Sequence, residues 1–364
     1  MSQLDEVEAV VRRVESSPLS ELVHVSIDDV QQQMDSYLLP TMDAMSLYRR
    51  WERQQWAVYD LDLATDVQHW SSLDDETRRI VRRTMTLFFI GEQAVTDTLS
   101  PILHAAAHED EGIFLATQVA DEARHTVFFH RFFDEVLEVH GGLKAALETV
   151  GPEATAGFRG IFETHLVAAT DAVRREPRDL RAWVEAVVTY HIVIEGFLAL
   201  TGQRSLLRFT RATGFMPGFH AGFIAVARDE SRHIGFGVLA LRRRVLQDPE
   251  MARVVALKLL ELSEAAVLTI VDPDTRLEVP DPSDQPPELR QSPLDFREYS
   301  VGQLAKRIHA IGLSEPVARD VQQAYRGHFE TMWRAYEAKH GVEHPVRWFE
   351  RDELAAAGAA SRTS

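Results

Sequence analysis

Two short segments nearly repeat each other: Asp121-Glu122-Ala123-Arg124-His125 and Asp229-Glu230-Ser231-Arg232-His233. Each contains Glu-x-x-His within a stretch of helical periodicity, and residues i and i+3 share one helix face. Each doublet can therefore turn a carboxylate and an imidazole toward one point, as half of a metal cradle. Taken singly, a Glu-x-x-His doublet is equally well read as a surface ion pair. Two apolar faces elsewhere each supply one more carboxylate: Glu92 in Phe88-Phe89-Ile90-Gly91-Glu92 and Glu195 in Ile192-Val193-Ile194-Glu195-Gly196-Phe197. An ionised Glu on such a face is costly to bury, and a cation removes that penalty. The candidate metal set is thus Glu92, Glu122, His125, Glu195, Glu230 and His233. Asp121 and Asp229, directly before the doublet glutamates, can orient the histidines from behind or pair with a nearby Arg.

Composition narrows the chemistry. The 364 residues include no Cys, so disulfides, thiolate metal sites, iron–sulfur clusters and a cysteine nucleophile are excluded. Any metal is held by His and carboxylates, a ligand set that suits iron or manganese. With 39 Lys plus Arg against 56 Asp plus Glu and a net charge of −17, the chain is unsuited to nucleic acid or an anionic membrane as main partner. The start lacks the pattern of a secretory signal, and no uninterrupted apolar run reaches the roughly 18 residues of a membrane span. The expectation is a soluble, cytoplasmic protein.

The elements that must position the six residues are helices. Apolar positions from about 75 to 265 recur at helical spacing, in blocks near 74–108, 112–140, 153–175, 180–203, 216–245 and 249–270. Ser72 or Asp74 can cap the first block. Within a single helical domain spanning 1–364, the expected parts begin with an N-terminal extension over 1–50. It holds an acidic, loosely held arm, and a helical pattern near 29–57 runs on from it. A metal-binding core over 51–270 follows. Six of the fifteen prolines fall between Asp272 and Pro293, predicting a linker or packed loop over 271–300. A C-terminal helical extension over 301–354 and a disordered tail over 355–364 complete the chain.

The order Glu, Glu-x-x-His, Glu, Glu-x-x-His over four helices is the dinuclear carboxylate pattern of ferritin-like four-helix bundles. The expected fold class is all-α, with additional helices around that bundle. From about 51 to 245 the chain resembles the ribonucleotide reductase small subunit, and more closely its relatives, the ligand-binding oxidases with a mixed manganese–iron centre. Glu92 stands where reductase subunits commonly have Asp. Phe129, four residues after His125, stands where many carry the radical tyrosine. Val95, three residues after Glu92, and Tyr190, five before Glu195, match the pair joined by an ether cross-link in those oxidases.

The resemblance implies one manganese and one iron, with di-iron as the alternative. By the resemblance, Glu92, Glu122 and His125 would hold the manganese, and Glu195, Glu230 and His233 the iron; bridging roles are not readable from spacing. It further implies dioxygen as co-substrate, a hydrophobic ligand such as a long-chain fatty acid, and a homodimer. The implied function is a two-electron oxidase; the alternative is the radical-generating small subunit of ribonucleotide reductase. A non-redox storage bundle is a third reading. Val226, one turn before Glu230, supplies no seventh histidine of the kind a related N-oxygenase would show. Without the resemblance, Val95 reads as a packed core valine and Tyr190 as a hydrogen-bonded core phenol. Five residues on a regular helix place Tyr190 about 140° from Glu195, so a local distortion is needed to bring it to the metals.

Other motifs are weaker. His104 and His108 have i,i+4 spacing but read as a solvated helix-end pair, Glu163 and His165 do not share a face, and the Phe128, Phe129, Phe132 and Phe133 series reads as core packing.

Overall fold

The computed structural model describes residues 3–141, 154–277 and 290–353, together with positions 144, 148 and 283. Helices make up its regular structure, and no strand occurs among the described residues. Four long helices frame the centre: α5 (Asp75–Thr98), α7 (Glu109–Glu135), α9 (Leu180–Thr213) and α10 (Pro217–Gln247). Before them come α1 (Gln3–Ser16), α2 (Ile27–Tyr37), α3 (Ala44–Arg53) and α4 (Ala64–Ser72). The short α6 (Ser100–His104) and α8 (156–175) lie between the framing helices. After them come α11 (Glu250–Ile270), α12 (Pro293–Ile311) and α13 (Glu315–His340). In the frame α5 packs on α7, and α10 packs on both α7 and α9.

Local chemistry sets the ends of these helices. Asp74, rather than Ser72, caps α5 by accepting the Thr77 N–H at 2.7 Å. The expected 74–108 block divides at Leu99, because Ser100-Pro101 opens a new helix. The start of α10 is capped from a distance: Asp66 accepts the N–H groups of Gly218 and Phe219 at 2.9 and 2.6 Å. Met216 takes a left-handed φ of 50° just before Pro217. Gly237 lets α10 approach α9, since a Cβ there would lie 2.3 Å from the Cβ of His191.

α9 is unusual in two respects. It continues to Thr213, ten residues past the predicted end, and Val188–Ala199 within it is π-helical. Its length and composition would allow it to cross a membrane, unlike the sequence expectation for any segment. Its apolar window is nevertheless 89% buried inside the protein, so it is a core helix.

Several expected boundaries need correction. The predicted 29–57 helix is two helices, α2 and α3, parted around Pro40, which cannot continue the helical ladder. The N-terminal arm is anchored rather than loose. Val14 is buried, and the Arg228 guanidinium donates to the carbonyls of Val14 and Ser17 at 3.1 and 3.0 Å. The expected 271–300 linker ends early, because Ser292 caps α12 and Leu294 is already buried. The 301–354 extension comprises most of α12 and all of α13, separated by Gly312 at φ 102°. The predicted tail over 355–364 lies outside the described residues.

Candidate metal centre

All six sequence-selected ligands converge in the middle of the frame. Glu92 comes from α5, Glu122 and His125 from α7, Glu195 from α9, and Glu230 and His233 from α10. They form two groups whose ligand atoms lie within 4.8 Å of one another: Glu92, Glu122, His125 and Glu230, and Glu122, Glu195, Glu230 and His233. Glu122 and Glu230 belong to both, which the sequence could not show. The geometry therefore differs from a simple three-plus-three division, with two shared carboxylates between two end sets.

The histidines are placed alike. His125 Nδ1 faces Glu92, Glu230 and Glu122 at 3.2, 3.4 and 3.6 Å. His233 Nδ1 faces Glu122, Glu195 and Glu230 at 3.3, 3.4 and 3.6 Å. Each Nε2 points away, to an aspartate of the other doublet: His125 to Asp229 at 3.1 Å and His233 to Asp121 at 3.2 Å. The support is thus crossed between α7 and α10. Arg232 ties the two aspartates together, donating to Asp121 at 3.0 Å and also to Asp229. Arg124 donates to Asp121 as well.

Three supporting residues escaped sequence reasoning. The Trp51 indole donates to Asp121 and the Trp56 indole to Asp229, each at 2.9 Å. Gln118 donates to Glu195 at 2.9 Å, and its carbonyl faces His191 Nε2 at 3.0 Å. Gln118 was within reach of spacing, because it lies one turn before Glu122 on the same face. The tryptophans carry no local signal, since they come from or just after α3.

The electrostatics of the cluster call for cations. Burial pushes Glu92 up to about 7, although His125 opposes this. Burial and the neighbouring Glu230 charge raise Glu195 well above the carboxylate range. Burial disfavours charge on both imidazoles. It is outweighed by Glu92, Asp229, Glu122 and Glu230 around His125, and by Asp121, Glu122, Glu195 and Glu230 around His233, so both are raised well above 6.5. Glu122, despite burial, is held low by the two histidines that face it. Four carboxylates and two imidazoles packed this closely therefore favour added positive charge. Glu122 Oε2, Glu195 Oε2, Glu230 Oε2 and His233 Nδ1 are buried without a hydrogen-bond partner. Such orphaned donor atoms fit a pair of hard cations and would be expensive otherwise.

The π segment resolves the placement of Tyr190. Its ladder joins residues i and i+5, as the Leu200 N–H bond to the Glu195 carbonyl shows, so Tyr190 and Glu195 come onto one face. The fully buried Tyr190 hydroxyl donates to Glu122 Oε1 at 2.9 Å. Burial, with Glu122, Glu195 and Glu230 close by, raises its pKa well above 10. Val95 lines a cavity of about 580 Å³ that reaches Glu92, Glu122, Glu195 and Glu230. Its walls include Phe88, Phe158, Phe162, Ile194 and Leu198, and half-exposed Ile80 and Phe209 stand among its outer residues.

Phe129 is wholly buried among the rings of Phe88, Phe89, Phe128, Phe219 and Phe223, and no tyrosine ring contacts it among the described residues. Phe128, Phe132 and Phe133 are core residues too. The weaker motifs stay apart from the centre. His104 ends α6 while His108 precedes α7, so they share no helix. Glu163 is exposed, and His165 faces Glu261 at 3.6 Å.

Comparison with known proteins agrees with this architecture. A variant of an R2-like ligand-binding oxidase with anaerobically reconstituted Mn/Fe cofactor superposes with a TM-score of 0.63 at 24% identity, over 75% of this chain and 95% of that one. A second variant, with aerobically reconstituted Mn/Fe cofactor, gives 0.63 at 22% identity over 75% and 94%. The R2-like ligand-binding oxidase of Sulfolobus acidocaldarius gives 0.61 at 24% identity over 74% and 89%. At such identities the likeness is one of fold. The model of the family "Ribonucleotide reductase, small chain" matches residues 37–265, well over half the chain, and this protein belongs to that family.

Proposed function

We propose that this protein is a dioxygen-activating oxidase with a dinuclear manganese–iron or di-iron centre, acting on a hydrophobic ligand. The observation that carries the reading is the meeting of two ligand groups, sharing Glu122 and Glu230, at the buried end of an apolar cavity. Glu92 and His125 would complete one metal's ligands, and Glu195 and His233 the other's. Bound there, a reduced metal pair would supply electrons to dioxygen and the oxidising power to remove hydrogen from carbon. The chain's own part is to hold that chemistry dry and aligned. Phe88, Phe158, Phe162 and Leu198 exclude water, and the cavity volume lies within the range of small-molecule sites. A long-chain fatty acid would suit such a wall, its carboxylate turned toward the metals that would offset the surrounding glutamate charges.

On the protein itself the reaction would join Tyr190 Oη to Val95 Cβ. The O–H and C–H bonds break, the C–O bond forms, and two protons and two electrons leave. A reduced metal pair bound there would supply two further electrons, and solvent two further protons, so that one dioxygen would be taken to two waters. Glu122, the hydrogen-bond acceptor of Tyr190, is placed to take the phenolic proton. Phe129 disfavours the tyrosyl-radical form of the reductase reading, since that shell offers no phenol.

Peptide mass mapping tests this. Metal-free protein is loaded anaerobically with manganese and iron, then exposed to oxygen. The expected product is a linked pair of peptides holding Val95 and Tyr190, lighter than their sum by two hydrogens. Unlinked peptides at full metal occupancy would overturn the cross-link and favour a radical-generating reductase subunit.

A further inference from the structure

Gln118 is a fully buried neutral side chain with both ends of its amide in use. The nitrogen donates to Glu195 Oε1 at 2.9 Å and lies 3.4 Å from Glu122 Oε1, beyond the usual hydrogen-bond range. The oxygen lies 3.0 Å from His191 Nε2. An ionised carboxylate, the form that binds a cation, accepts hydrogen bonds and cannot donate them. The amide therefore turns its NH2 to the glutamates and its oxygen to His191, which must carry a proton on Nε2. Nδ1, bare in that tautomer, is buried without a hydrogen-bond partner, as suits a nitrogen with no proton to place. Burial and the nearby His233 push the imidazole down to about 3, so it is neutral and has a single N–H to give.

Packing holds the ring of His191 in place. It lies against Tyr190 and Phe236, with ring centroids 4.8 and 5.6 Å away, and its Cβ stands only 2.3 Å from where a Cβ on Gly237 would fall. The contacts thus run from His191 on α9 to Gln118 on α7 and back to Glu195 on α9. The other end of the cluster has no equivalent. Among the described residues, His125 is the one hydrogen-bond partner of the Glu92 carboxylate, at 3.2 Å. The two candidate metal positions share Glu122 and Glu230 and have similarly placed histidines, yet only one of the two end carboxylates is held by an amide.

We infer that Gln118 is a positioning residue for Glu195, that the His191 N–H fixes which way its amide faces, and that this pair makes the Glu195–His233 position unlike the Glu92–His125 position. A rotated amide would set its oxygen against Glu195 and repel it, so His191 acts on that carboxylate through Gln118. The inference rests on the metal-centre reading given above.

The test measures the affinity of each position for manganese and iron by chelator competition, with occupancies read by anomalous scattering. Gln118→Leu should weaken the Glu195–His233 position about 10–100-fold and the Glu92–His125 position less than about threefold. His191→Phe keeps an aromatic ring, removes the N–H, and should reproduce that loss at the same position. His191→Gln, whose amide N–H can reach the place of imidazole Nε2, should restore affinity to within about threefold of wild type; a role in packing alone would favour phenylalanine over glutamine. If a variant does not fold, neutron diffraction from metal-loaded wild-type crystals decides, with deuterons expected on His191 Nε2 and on a Gln118 nitrogen facing Glu195. A proton on His191 Nδ1, unchanged affinity at the Glu195 position, or equal loss at both positions would overturn this proposal alone. Wild-type protein that binds no metal at Glu195 would overturn the metal-centre reading with it.

Discussion

The crossed support of the histidines makes a prediction that sequence proximity would get backwards. Asp229 stands beside Glu230 and His233, yet its carboxylate meets His125 at 3.1 Å, with the Trp56 indole at 2.9 Å and Arg232 alongside. Asp229→Asn keeps the shape and one acceptor oxygen but removes the charge. Arg232 retains Asp121 at 3.0 Å, so the loss is that of charge-assisted hydrogen bonds. The cost in stability should be about 1.5–3 kcal/mol, rather than the roughly 3–5 kcal/mol of a buried ion stripped of its only partner. At the metals, losing such an outer partner costs about 10–100-fold in affinity, or about 1.4–2.8 kcal/mol. That loss should fall on the metal held by Glu92 and His125, with less than about threefold change at Glu195 and His233. Asp121→Asn should do the reverse, weakening the His233 site although Asp121 shares α7 with His125. Chelator competition, with each metal's occupancy read by anomalous scattering, separates the two sites. Loss at the same-helix histidine in either variant would refute the crossed arrangement.

Other outcomes follow from the same geometry. Glu122→Ala removes a carboxylate common to both groups and should abolish stoichiometric two-metal binding, as elemental analysis would show; His233→Ala should do the same. Tyr190→Phe should keep both metals and lose the ether, with intact peptide masses as the readout. Metal-free protein should become less stable as pH rises from 6 to 9. His125, His233 and Glu195 are raised in the folded state, so the stability they contribute is present at low pH and lost as pH climbs through their folded pKa values. Glu122 and Asp229, held low, contribute fully above the ordinary carboxylate range and do not change over this window. Metals replace those protons, so the loaded protein should show no such decline in thermal denaturation. Finally, a Cβ at Gly202 would lie 2.7 Å from Phe88 Cζ, so Gly202→Val must displace a cavity wall. It should weaken apolar ligand binding at least about tenfold while leaving two metals bound, at an overpacking cost of about 1–3 kcal/mol; fluorescent fatty-acid titration would measure it.

The convergence of the six candidate residues was legible because Glu-x-x-His repeats and because a lone Glu on an apolar face demands an explanation. What was not legible depends on contacts between distant segments. The sharing of Glu122 and Glu230 is fixed by how four helices converge, which spacing within any one helix does not record. Trp51 and Trp56 reach Asp121 and Asp229 across 70 and 173 residues. The π segment of α9 is hidden because Val188–Ala199 is apolar all round, so no amphipathic stripe reports a change of pitch. The mismatch between Tyr190 and Glu195 on a regular helix was the one visible sign of it. The anchoring of the N-terminal arm escaped for a similar reason: Arg228 holds it through backbone carbonyls, which have no sequence signature.

The central claim is that six side chains hold two metals with Glu122 and Glu230 between them. Diffraction from metal-loaded crystals at the manganese and iron edges tests it most directly. The account predicts two peaks per chain. One should be coordinated by Glu92 and His125 Nδ1, the other by Glu195 and His233 Nδ1, with Glu122 and Glu230 contacting both. A single metal, or two metals with neither glutamate shared, would contradict it.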